Sequence, residues 1–199
     1  TDFGEFKYEN GANFRNAIFA NDANFRSASF LAPVDFSEVT FRDDVFCNRA
    51  SFEGGAVFHR TKFEGMVDFG HSRFMQSANF SLADFAATAR FVFCHFEAIE
   101  FFETVFHDYT DFTGAEFSGR TGFTFVQFCA DVSFQQAKFK EIATFRGKTG
   151  DSNFFNEANF ESVLLPRLNI LRFVDVDCSR TRFLGADVIL MNFDGVQWC

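Results

Sequence analysis

The side chains with most to offer as nucleophiles, bases or metal ligands are four histidines and five cysteines. His59, His71, His95 and His107 have no ligand-like spacing, and no CxxC pair occurs. One arrangement stands apart. His107 and Cys129 are 22 residues apart, and Asp151 lies 22 further on. In a chain that repeats every 22 residues the three would stand in line on one surface, and a metal takes three or four such ligands. Chance placement is the simpler reading, so no metal and no cofactor is expected. Gly147-Lys148-Thr149-Gly150 lacks the GxxxxGK frame of a phosphate loop and reads as a turn. The acids follow no recognisable paired spacing. Almost no long loop is present to build a substrate cleft, so an enzyme is not expected.

The element that must position these residues is announced by phenylalanine. From Phe3 to Phe145 an aromatic beat falls every five or six residues, the gaps alternating; 25 of its 27 positions are Phe, the exceptions being Tyr8 and Cys47. The alternation slips once, between Phe96 and Phe106, where one residue is missing. Two residues before each beat the chain is small or β-branched, as at Ala12, Val34, Thr61, Ala78 and Val126, with Phe6 the one bulky exception; the residue between is usually polar. Apolar positions two apart with a polar residue between mark an extended segment. After about three residues the chain must turn, and Gly, Asp and Asn fill the gaps. A helix fails, because a five-residue step of ~500° scatters the rings around its circumference. A solenoid succeeds: four units close a rough square, the rings pile up inside it, and successive turns stack at the ~4.8 Å strand spacing.

Segments such as Ala12-Asn13-Phe14, Ala23-Asn24-Phe25, Ala78-Asn79-Phe80 and Ala158-Asn159-Phe160 resemble the A-(D/N)-(L/F)-x-x unit of the pentapeptide-repeat family. The resemblance implies an all-β fold, a right-handed quadrilateral parallel β-helix, here of roughly nine coils of 20–22 residues. Two departures are a centre that is nearly always Phe and a sixth residue on alternate sides, which implies wider coils bulged at two opposite corners. One domain is expected over residues 1–199. The 5/6 rhythm fills 1–146. Irregular coils or a loop occupy 147–170, with a turn of helix around Leu164–Leu171, and strict pentads at Phe173, Cys178, Phe183, Val188, Phe193 and Trp198 fill 171–199. The beat is still running at both ends, so the segment reads as a fragment of a longer chain or one half of an end-on homodimer.

The net charge is −9, with 14 acids and 9 bases in residues 1–100 and 13 and 9 in residues 101–199. Acidity that even does not favour direct nucleic-acid binding. No apolar run approaches a membrane span. Cys47, Cys94 and Cys178 sit at inward positions and read as buried thiols in a reducing, cytoplasmic compartment. Phe46, Phe93, Phe102, Phe125 and Phe154 fall off the beat. Phe102 and Phe125 share a face of adjacent coils and could form an apolar spot that marks a protein partner. A non-enzymatic scaffold or protein–protein interaction module is the function expected. The alternative comes from the resemblance: some family members protect gyrase from quinolones as acidic rods that resemble duplex DNA.

Overall fold

The structure is a computed structural model, and it describes residues 1–148, 155–167 and 170–198. The chain winds into a parallel β-solenoid of about eight turns. A typical side contributes a strand of two residues, for example Ala23–Asn24, Ser29–Phe30, Val34–Asp35 and Thr40–Phe41. The pairings between strands are parallel and join one turn to the next. Lys7 pairs with Ser29, Val34 with Ala56 and Val45 with Val67, the same interval each time.

The inward rings form four columns. The first runs through Phe3 and Phe25, is interrupted at Cys47, and continues through Phe69, Phe91, Phe112, Phe134, Phe160 and Phe183. The second runs from Tyr8 and Phe30 to Phe139. The third runs from Phe14 and Phe36 to Phe193. The fourth runs from Phe19 and Phe41 to Phe155. Within a column the rings are near parallel: Phe58 and Phe80 are 4.5 Å apart at 3°. Across the tube they meet edge to face, as Phe25 and Phe36 do at 5.4 Å and 82°. Both geometries suit the ring quadrupole and add ~0.5–1.5 kcal/mol per pair to burial. The small residue beside each ring is what leaves room for the neighbouring column.

At several positions where that inner small residue is polar, it is satisfied along the axis. The Thr61, Ser72 and Thr104 hydroxyls donate to the carbonyls of Phe36, Cys47 and Phe80, one turn back, at 2.8, 2.5 and 2.8 Å. The Cys94 thiol donates to the Phe69 carbonyl in the same way. These contacts let a polar atom enter the core without an orphaned group.

The alternation of five and six has a structural cause. After the first and third columns the chain turns through a residue of positive φ: Glu38, Arg49, Arg60, His71 and Leu82 all lie near +60°. For a side chain other than Gly this costs ~1–2 kcal/mol. The cost is offset because each such N–H donates to the next turn, Glu38 to the His59 carbonyl and Arg49 to the Gly70 carbonyl, both at 2.9 Å. These tight turns need only the shorter unit. They also explain the Asp and Asn of the motif: Asp35, Asp68, Asn79 and Asp111 each accept a hydrogen bond from the backbone N–H two residues on. After the second and fourth columns the corner is wider and takes the longer unit.

The missing residue is visible as a register shift. Phe74 pairs with Phe96 at the regular interval, but Ser77 pairs with Ala98, an interval shorter by one, so Met75 and Gln76 bulge against Glu97. Beyond Phe145 the turns lengthen: Val132 pairs with Ala158, and Phe145 with Phe173. That stretch spends residues off the repeat, which is why about eight turns use a length that nine regular ones would fill. Among the described residues no helix lies around Leu164. Instead Leu164 bridges Lys138 and prolongs the second side. Nor is the last stretch uniform, because Val188–Leu190 forms a 3-10 helix and Val188 is exposed. Among the described residues no helix is long and apolar enough to cross a membrane.

Candidate interaction surface

Most on-beat rings are buried, so among the described residues the aromatics open to a partner are chiefly the off-beat ones, together with Phe6, Tyr109 and Trp198. The off-beat rings divide by what they touch. Phe46 lies under the Arg26 guanidinium, 3.9 Å from its carbon. Phe93 stacks on His71 at 5.4 Å, and its ring lies so close over Gly114 that a Cβ there would strike it. Both are covered in part by the chain's own groups. Phe154 lies outside the described residues.

Phe102 and Phe125 are different. Phe102 follows the buried ring of Phe101 and is 37% exposed. Phe125 is half-buried and occupies the positive-φ position of the next turn, with φ 58°. Their rings meet at 5.8 Å and 64°. The Phe102 carbonyl accepts the N–H of Leu82, which holds the corresponding turn position one coil earlier. Lys148 Nζ stands 5.7 Å from the centre of the Phe125 ring. The outcome is a small apolar ridge, with Glu103 and Arg146 on the adjoining backbone rungs. That the two rings share a face was legible in the sequence. The lysine was not, because it follows the end of the regular beat.

His107 and Cys129 do fall on adjacent rungs of the fourth side, after the paired rings of Phe106 and Phe128. Asp151 is outside the described residues. His107 turns back toward Asp84, with Nε2 3.0 Å from Oδ1; counting like positions in successive coils does not find this partner. At the wide corner between the fourth and first sides, Asp22, Asp43 and Asp44 carry carboxylates within 4.8 Å of one another, Asp22 and Asp44 holding like positions of adjacent coils. Met66, Thr88 and Tyr109 then take that position before Asp131 and Glu157 do, with Asp108 beside it. Several of these acids already serve the chain: Asp44 accepts the Met66 N–H at 2.9 Å, Asp131 accepts from the Asn156 amide at 3.0 Å, and Glu157 pairs with Arg182 at 3.6 Å. On the second side, a hydrogen bond from Lys140 holds the Glu116 carboxyl below its usual range. Burial pushes the Cys47 and Cys94 thiols up, and the Cys178 thiol to about 12.

Residues 9–51 and 48–95 match the family model for pentapeptide repeats (9 copies). No curated protein sequence matches the chain. Among solved structures it is similar to a trypsin-treated variant of QnrB1, described as a plasmid-mediated fluoroquinolone resistance protein, at 13% identity over 98% of this chain and 92% of that one, with a TM-score of 0.35. The matched repeats place residues 9–95 in the pentapeptide-repeat family, and the parallel coils that follow continue the same solenoid.

Proposed function

We infer that the rod is a non-enzymatic interaction module and that a protein partner docks on the ridge of Phe102 and Phe125. The carrying observation is the contrast between those rings and the rest. Most aromatics are buried in columns, and Phe46 and Phe93 each meet a single arginine or histidine, whereas Phe102 and Phe125 form an aromatic pair at the surface with a lysine beside it. Aromatic pairs beside a cation are the residue types in which interface energy concentrates. The test is affinity capture with matched variants. Phe102→Ser with Phe125→Ser should lose the captured partner while unfolding at the wild-type denaturant concentration. Phe93→Ser, on another ridge, should retain it. Equal capture by all three would end the assignment.

The acids at that corner, Asp22, Asp43 and Asp44 toward one end and Asp108, Asp131 and Glu157 toward the other, support a second reading, an acidic rod that occupies the DNA-binding surface of a type II topoisomerase. Arg26, Arg42 and Arg49 on the flanking positions weaken that field. In a gyrase supercoiling assay under quinolone challenge, protection that disappears on Asp43→Asn with Asp44→Asn would favour this reading over the apolar ridge.

A further inference from the structure

We propose that Cys129 is a covalent acceptor for small zwitterionic disulfides, with His107 as the base that takes its proton and Asp84 as the residue that positions His107. The three side chains come from consecutive coils. Asp84 precedes Phe85, His107 follows Phe106 and Cys129 follows Phe128, and those rings stack at 4.6 and 5.1 Å. Asp84 Oδ1 is shielded from solvent and receives no aligned hydrogen bond, yet His107 Nε2 lies 3.0 Å away. A carboxylate only accepts, so bringing this contact into line as a hydrogen bond places the neutral imidazole's proton on Nε2. Nδ1 is then the basic nitrogen, and it has no hydrogen-bond partner among the described residues. Cys129 lies one rung further along and is exposed. Thiol and imidazole are not hydrogen-bonded to each other here; such contacts commonly tighten when a ligand arrives.

The other described thiols are poor competitors. Cys47, Cys94 and Cys178 are buried, and the Cys94 thiol is committed to the Phe69 carbonyl. Cys129 also opens onto a groove of about 650 Å³ floored by Phe128 and Phe155 and walled by Gln127, Asn156, Asp177 and Arg180. A carboxylate and a guanidinium in one groove match the ammonium and carboxylate of an amino-acid head group. In the exchange, Cys129 Sγ attacks one sulfur of the disulfide and its proton passes to His107 Nδ1. The S–S bond breaks, the departing thiolate takes that proton, and a mixed disulfide and one free small thiol result. No further oxidant is required.

The reduced full chain is incubated with L-cystine, and the adduct rate is followed by intact mass with peptide mapping. Cys129 should be modified first, and His107→Ala should slow it about tenfold with its unfolding curve unchanged. Asp84→Asn should fall between the two. Arg180→Glu should reverse the preference for cystine over cystamine, each rate taken relative to that of a free small thiol. Equal rates for wild type and His107→Ala would overturn the proposal, as would a Cys129 rate no greater than in the urea-unfolded chain. Preferential labelling of another cysteine would also overturn it.

Discussion

The turns between Ala23 and Phe145 and those after Phe155 use the same motif with different results. In the first region the interval between stacked turns is constant apart from the single slip after Phe74, and Phe25, Phe30, Phe80 and Phe123 are wholly inaccessible. In the second the interval varies, long from Val132 to Ala158 and from Phe145 to Phe173, then shorter from Ala158 to Thr181 and shorter again from Phe173 to Phe193. There Phe183 and Phe193 are only partly buried, while Leu184 and Ile189 are 73% and 80% exposed. Phe160 and Phe173 stay wholly inaccessible although the turns on either side of them differ in length, whereas Phe183 and Phe193, like Phe3 and Phe14 at the other end, have a stacked column neighbour on one side only among the described residues. Full burial of a ring therefore depends on a turn stacked on both sides of it, as expected where each repeat touches only its neighbours.

The largest test of that contrast is ring deletion. Phe80 stacks between Phe58 at 4.5 Å and Phe101 at 5.2 Å. Phe80→Ala should cost ~4 kcal/mol in urea unfolding. Phe183→Ala, which removes a partly exposed ring, should cost ~1–2 kcal/mol. Equal losses would mean the two regions are packed alike. Next comes the axial hydroxyl. Thr104→Val keeps the shape but removes the donor to the Phe80 carbonyl, at ~1 kcal/mol. At Thr181 the hydroxyl is shielded with only the weak Cys178 thiol beside it, so Thr181→Val should be neutral or slightly stabilising. A loss at Thr181 as large as at Thr104 would show that the irregular turns satisfy their polar atoms too.

Cys47 is the gap in the regular region. Phe25 below it and Phe69 above it each meet a thiol there instead of a stacked ring. Cys47 is flanked by Val45 and Ala50, much as Phe69 is flanked by Val67 and Ser72. Cys47→Phe should complete the column and raise stability by ~1 kcal/mol through added burial and stacking. A loss would show that the coil has closed around the smaller side chain.

Most of this was open to reading in the chain itself, because a fixed period decides which residues stack. The four columns, the Phe102–Phe125 pair and the neighbourhood of His107 and Cys129 all follow from counting. Two kinds of feature did not. The positive φ at Arg60 or Leu82 leaves no mark in residue type, since the hydrogen-bond ladder enforces it and the side chain merely tolerates it. Contacts that cross from one unit position to another, such as Asp84 with His107, are invisible to a count of like positions. The pentads from Phe173 to Trp198 misled in the opposite direction. Their spacing is regular, yet Asp187 accepts the Ile189 N–H and turns Val188 outward into the 3-10 helix.

The smallest effect concerns Glu100, which stands on the third side between Asn79 and Gly122 of the neighbouring coils. Its carboxyl lies across Gly122, so close that a Cβ there would collide with it. Burial raises its protonation range above that of an ordinary glutamate, and Arg120 only partly opposes the shift. A carboxyl raised in the folded state favours folding while protonated, and that contribution is lost as pH rises through the folded value. Glu100→Gln removes the titration. The variant should therefore melt slightly above the wild type at neutral pH, with the difference shrinking toward about pH 4. Widening of the gap on acidification would mean that the ionised carboxylate is held by Arg120 more firmly than burial opposes it, and the third side would then owe part of its order to that pair.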